Sequence, residues 1–170
     1  MTVPLQFQNM TALAEPRFEK RDSFLIAGFT QRFTPETMSN IAQIWQRFAP
    51  HIGRIRGQAG SVTWGVIANF TNVEAFDYMA GVELSPGAGL PSLLDVTIVP
   101  ALNYAVFAHT GQVSGLKQTV DLIWRDWQPA FPRAIRPPRP GIPSLLERYA
   151  ENFSHKTASG DVELWVPIQP

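Results

Sequence analysis

The chain contains the same phrase twice, "IWQRFAP" at 44–50 and "IWRDWQP" at 123–129, seventy-nine residues apart. At that offset "FLIAGFTQ" (24–31) falls on "NYAVFAHT" (103–110), so an apolar run precedes each Trp-bearing segment. Further along, "TWGVIANF" (63–70) matches "ERYAENF" (147–153) through a shared Asn-Phe ending, and "DYMAGVEL" (77–84) matches "DVELWVPI" (161–168). A self-similar chain is built from one supersecondary unit used twice, each copy covering apolar surface that the other cannot bury alone. Whatever one copy folds into, the other must match.

The periods identify the unit. Met38, Ile41, Ile44, Trp45 and Phe48 recur at steps of three and four, as do Leu116, Val120, Ile123, Trp124 and Trp127, and both stretches therefore read as amphipathic helices. Thr34 stands as N-cap of the first with Pro35 at its first position, and each helix ends near a proline, Pro50 or Pro129. Val62, Trp64, Val66, Ala68 and Phe70 alternate with smaller or polar residues, and Val162, Leu164, Val166 and Ile168 alternate with Asp161, Glu163 and Trp165. That period of two is the signature of strands.

Each unit is then strand, helix, strand, strand: roughly 22–33, 34–50, 61–70 and 75–84 in the first copy, and 103–110, 113–128, 144–153 and 161–168 in the second. The expected fold is α+β, with tandem duplicated β-α-β-β units of SHS2 type related by pseudo-twofold symmetry. Two helices cover one side of antiparallel sheets, and a ligand groove lies on the other side, between the repeats. The repeats span about 22–84 and 103–168 of one domain, 18–170, preceded by an N-terminal extension, 1–17. "SPGAGLPS" (85–92) and the proline-dense "FPRAIRPPRPGIPS" (131–144) can continue neither a helix nor a central strand and mark loops.

Composition excludes several chemistries. Lys+Arg and Asp+Glu both number 14, so no basic excess stands ready for a phosphate backbone, and direct nucleic-acid binding is not expected. Cysteine is absent, which removes disulfides, thiolate metal sites and cysteine nucleophiles. His51, His109 and His155 show no metal-ligand spacing and read as surface or core residues, so neither a metal nor a cofactor is expected. The first residues lack the basic and apolar pattern of a signal peptide, and no apolar run approaches the ~20 residues that span a bilayer. A cytoplasmic protein without membrane partners is the expectation. Five Trp and eleven Phe are many for this length, and some of that aromatic surface is available to line a pocket.

One residue stands out against this background. In the strand "LLERYAENF" (145–153), alternation places Glu147 between Leu145 and Tyr149 on an apolar face. A carboxylate there loses water and, left unpaired, costs several kcal/mol or takes up a proton; a ligand cation would restore its partner. Aromatic rings around it would add about 0.5–2 kcal/mol each through cation–π attraction. Aligning the copies makes Glu147 the mate of Trp64, so acid and aromatic are expected to oppose each other across the axis. The competing readings for Glu147 are a salt bridge to Arg133 or Arg136, or an edge position turned to water. Tyr149 and Tyr78 offer ring faces or hydroxyls, although a strand tyrosine is also a common core residue. Trp127 and Phe131, at the helix end and loop, are candidates for the groove wall, whereas Trp45, Trp124 and Phe48 lie on the helix stripes and read as core. Glu83 reads as solvated.

The chain resembles the GyrI-like domains, also found as the effector-binding half of AraC-type and MerR-type bacterial transcription activators. "SVTWGVIANF" is similar to the family's Tyr-Gly strand, with Trp64 where many members carry Tyr, and "FDYMAGVEL" to its Ala-Gly-Val-Glu strand. "VPALNYAVFAHTG" resembles its Pro-Ala, Tyr-Ala-Val-Phe, His-x-Gly segment, and "VELWVPI" its Val-Pro-Ile ending. The resemblance runs in order from Phe18 to Ile168. It implies two tandem units with a groove that binds amphipathic, often cationic, aromatic molecules such as drugs, anchored by the glutamate of a Glu-x-Tyr strand. That pattern falls on Glu147-Arg148-Tyr149. The expected ligand-binding residues are Glu147, Tyr149, Trp64, Tyr78, Trp127 and Phe131, in a stand-alone effector-binding protein linked to transcriptional regulation or drug resistance, with a regulator partner or a second copy. The alternative is a GyrI-like hydrolase of cyclopropane-type genotoxins, with Glu147 as general base and Tyr149 as proton donor.

Overall fold

The computed structural model describes residues 13–135 and 138–170. Its elements in chain order are β1 (Arg17–Arg21), β2 (Phe24–Phe33), α1 (Ile41–Phe48), β3 (Gln58–Ala68), β4 (Phe76–Leu84), β5 (Asp95–Val99), β6 (Leu102–His109), α2 (Leu116–Leu122), β7 (Leu145–Tyr149) and β8 (Val162–Ile168). The second helix continues past α2 through a wide π turn, Ile123–Trp127, and ends in Gln128–Ala130, ahead of the proline-dense loop. No helix among the described residues is long and apolar enough to cross a membrane.

The duplicated units are present as β2-α1-β3-β4 and β6-α2-β7-β8, and both helices pack on one side of the strands. Two differences from expectation are informative. Thr34 does not cap the helix: its carbonyl accepts from the amides of Thr37 and Met38 while its own amide donates to the Thr37 hydroxyl. The segment closes as a turn, and a 3₁₀ turn, Met38–Asn40, leads into α1. Second, the strands form one antiparallel sheet of eight, in the order β1-β6-β8-β7-β3-β4-β2-β5. The extra strands β1 and β5 sit at its two edges.

Those edge strands are exchanged between the repeats. β1, which precedes the first unit, pairs with β6 of the second, while β5, which precedes the second, pairs with β2 of the first. Only Asp22 and Ser23 separate β1 from β2, yet the two strands stand six places apart in the sheet. A flat sheet would hold them about 29 Å apart at ~4.8 Å per strand, whereas three Cα–Cα steps span at most ~11 Å. The sheet therefore curls until its ends meet. Arg21 of β1 consequently reaches Glu83 of β4 with two hydrogen bonds of 2.6 Å, so Glu83 is ion-paired rather than simply solvated. Paired Gly28 and Gly81 permit close approach where β2 meets β4, since a Cβ on either would press into the opposing backbone or Ile26.

The curl creates two cores. Its inside is filled by Phe24, Ile26, Trp64, Val66, Met79, Tyr104, Val106, Leu146 and Trp165, buried without help from any helix residue. Its outside holds Tyr78, Ala80, Phe107, Leu145, Tyr149 and Leu164, covered by Ile44, Trp45 and Phe48 of α1 and by Leu116 and Ile123 of the second helix. Trp64 is the bulkiest of the fully buried side chains, and its ring meets Phe24 at 5.3 Å and Trp165 at 5.6 Å. Trp64→Ala is expected to destabilise the fold by about 3–5 kcal/mol, read as a lower urea midpoint with an unchanged slope.

Candidate functional site

At the centre of the sheet β3 and β7 run side by side, pairing Gly65 with Glu147 and Trp64 with Arg148. Alternation along β7 turns Leu145, Glu147 and Tyr149 to the helix-bearing side, as the sequence pattern requires. Tyr78, on β4, lies beyond β3 and crosses over Gly65 to reach the acid. A Cβ at Gly65 would collide with both the Glu147 carboxylate and the Tyr78 hydroxyl. Glycine at this position is what leaves room for the two to meet.

Glu147 is 7 % exposed. Its Oε1 accepts hydrogen bonds from the hydroxyl of Tyr78 and, at 3.2 Å, from that of Tyr149. From α1, the Trp45 indole donates to the Tyr78 oxygen at 2.8 Å. An indole N–H can only donate, so Tyr78 accepts from Trp45 and passes its own proton toward Glu147. The relay has a direction, ending on the acid.

No Lys or Arg among the described residues forms an ion pair with Glu147. The neighbouring Arg148 points to the other side of the sheet and pairs with Glu151 and Glu163. Arg133 lies over the Phe131 ring, and Arg136 falls outside the described residues. Burial pushes the Glu147 carboxyl up from its ordinary pKa, and the two tyrosine hydrogen bonds pull it only partly back. Burial, then the neighbouring Glu147 charge, pushes both tyrosine hydroxyls well up, so they remain donors at neutral pH.

Above the acid, the β7–β8 connection delivers His155 onto Trp45. The two rings are nearly parallel, 16° apart with centroids at 4.2 Å. Tyr149 at 5.3 Å and Phe153 at 4.9 Å flank the imidazole. Its Nε2 shares a 2.8 Å hydrogen bond with the Thr63 hydroxyl. Burial lowers the His155 pKa to about 4, so the ring is neutral at pH 7.

Of the residues expected at the site, Glu147, Tyr149 and Tyr78 come together. Trp64 does not oppose Glu147 across the axis. Adjacent residues on a strand point to opposite faces, and because Gly65 is the one that pairs with Glu147, Trp64 is turned into the curled interior. The expected groove on the side away from the helices is corrected for the same reason: Glu147 lies on the helix-bearing side, and the other side is closed by the curl. Trp127 and Phe131 stack on each other at 4.6 Å, and Trp127 rests on Phe107. Phe107 pairs with Leu164, which pairs with Glu147, placing this aromatic wall two strands from the acid. Trp45, assigned to the core by its helical spacing, and His155, read as a scattered histidine, are the site residues the sequence pattern missed. The Trp45 indole nitrogen is invisible to periodicity, and nothing local marks His155.

Residues 14–169 match the model of the family described as GyrI-like small molecule binding domain. The chain is 29 % identical over 154 residues to the transcriptional regulator BrlR of Pseudomonas aeruginosa, a match that covers 89 % of this chain and 54 % of BrlR. It thus spans about half the length of that relative. Among solved structures, SAV2435 bound to tetraphenylphosphonium superposes with a TM-score of 0.68 at 18 % identity, covering 92 % of this chain and 94 % of SAV2435. An integron cassette protein from the mobile metagenome of Vibrio cholerae gives 0.65 at 21 % identity, covering 92 % and 97 %. These two likenesses speak to the fold.

Because the folded state holds the Glu147 proton more tightly than the unfolded chain, ionisation opposes folding, and the penalty declines once pH falls below the folded pKa and is gone below the unfolded one. Glu147→Gln should therefore stabilise the protein at pH 7 by about 1–3 kcal/mol, an advantage over wild type that shrinks on acidification; urea midpoints measured from pH 8 to pH 4 check it. Gly65→Ala should cost about 1–3 kcal/mol by forcing the acid and Tyr78 apart, with a blue-shifted or quenched Trp45 emission reporting the broken relay.

Proposed function

Because the chain belongs to the GyrI-like small molecule binding domain family, we propose that it binds amphipathic aromatic cations at Glu147. The observation that carries this reading is a buried carboxylate held by two tyrosine hydroxyls with no cation beside it among the described residues. Two neutral donors do not replace the water a carboxylate loses on burial. A permanent positive charge would, and the low dielectric around Glu147 strengthens that attraction well beyond its value in water. The ligand needs no hydrogen-bond donor, since both tyrosines already supply them. It needs flat apolar surface, for which Trp45, Tyr149 and Phe153 provide ring faces worth about 0.5–2 kcal/mol each against a cation. The phosphonium bound by SAV2435 is a compound of this class, charged, aromatic and without donors.

In this reading the module acts in the cytoplasm as an effector sensor that works with a transcription regulator or a second copy. The similarity to a transcriptional regulator over half of that protein's length supports it. The chain carries no net charge to hold nucleic acid by itself.

Tetraphenylphosphonium and tetraphenylborate share a shape and differ in sign. Calorimetry and Trp quenching should show that wild type binds the phosphonium and not the borate. Glu147→Gln should weaken phosphonium binding at least about tenfold, equivalent to ~1.4 kcal/mol. Equal affinity of the two proteins for the phosphonium, or of wild type for both ions, contradicts the reading.

A further inference from the structure

Resting on the cation-binding reading of Glu147, we propose that the His155 imidazole is an internal guest in the ligand's own place. The β7–β8 connection would then compete with incoming aromatic cations, and planar ones would displace it best.

The geometry argues this directly. A flat nitrogen heterocycle lying parallel to Trp45, with Tyr149 and Phe153 at its edges, is the arrangement an aromatic cage gives a bound cation. Trp45 is joined through Tyr78 to the buried acid, so the cage and the anchor form one site. The present guest fits the shape of the cage but not its charge. Being neutral, His155 leaves Glu147 without a counter-ion, and its one described polar contact is the Thr63 hydroxyl. Exchange for a permanent cation keeps the stacking and adds the missing charge.

The connection is braced by its own hydrogen bonds, apart from the β7–β8 ladder. At its base the Ala150 amide donates to the Asp161 carbonyl at 3.0 Å, while Asn152 and Asp161 exchange a side-chain and a backbone hydrogen bond. At its tip Ser154 and Ser159 bridge through their backbones. Between them Gly160, at φ +130°, holds a backbone conformation that L side chains rarely adopt, and a Cβ there would strike Phe153. Phe153 belongs to the pinned base, its amide donating to the Ala150 carbonyl, so His155 can leave Trp45 with Phe153 in place and β7 still paired with β8. Displacement of a stacked ring also sets a preference, since a planar aromatic cation recovers the Trp45 contact that His155 gives up and an aliphatic ammonium does not.

Ethidium, a planar aromatic cation, is the probe. His155→Ala is expected to bind it at least about tenfold more tightly than wild type. Thr63→Val, which cuts the tether while keeping its shape, should bind it several-fold more tightly, and His155→Phe, which keeps a ring in the cage, no more tightly. In wild type, the upfield ring-current shift that Trp45 imposes on the His155 ring protons should collapse on saturation with ethidium. His155→Ala binding no tighter than wild type, or a His155 shift that persists in the saturated complex, overturns the proposal. When either of those results is found while Glu147→Gln still weakens ethidium binding in both the wild-type and His155→Ala backgrounds, the competitor is wrong and the anchor stands. If none of the proteins binds ethidium, both are wrong.

Discussion

The hydrogen bonds that Tyr78 and Tyr149 donate to Glu147 keep a dehydrated carboxylate in the middle of an apolar face, and much of the local structure serves that arrangement. Tyr78 reaches the acid because position 65 carries no side chain. The Trp45 indole orients the Tyr78 hydroxyl by occupying its lone pair, which leaves the phenolic proton for Glu147. His155 then closes the site from above by stacking on that same indole. An acid, two phenols, an indole and an imidazole are assembled from β4, β7, α1 and the β7–β8 connection across Gly65 of β3, with the charge left unanswered.

The exchanged edge strands make this possible. By pairing β1 with β6 and β5 with β2, the repeats curl a single sheet around Trp64, Tyr104 and Trp165. The interior is then complete without helices, and both helices are free to serve the outer face. β3 and β7, where the repeats join, are the central strands of the sheet, so Glu147 sits at the point most distant from either edge. An acid at an edge strand would find water; here it finds aromatic rings. The stability that an apolar residue would supply at this position is given up, as is common at functional sites.

Much of this could be read in the sequence, and the failures have physical causes. The duplication, both helices and the pairing of Glu147 with Tyr149 follow from period and spacing, which reflect local geometry. β1 and β5, as "RFEKR" and "DVTIV", are short strands whose partners lie in the other repeat, and neither alternates cleanly. The sequence points Trp64 to the wrong face because the shared Asn-Phe endings align the copies one residue out of phase with the pleat. A slip of one residue on a strand exchanges inside for outside. Gly65, not Trp64, is therefore the partner of Glu147. His155 reaches Trp45 from a loop, and no periodic pattern describes where a loop side chain lands.

The central claim is that the Glu147 carboxylate is held in wait for a positive charge, and its titration is the direct test. Carbon-13 NMR of the glutamate side-chain carboxyls, assigned with Glu147→Gln, can follow this group across pH in the free protein and with saturating tetraphenylphosphonium. The account predicts a midpoint above the ordinary carboxylate range in the free protein and a marked fall in the complex, because a neighbouring cation favours the ionised form. A midpoint at the ordinary value in the free protein, or one that does not move when the phosphonium is bound, would contradict it.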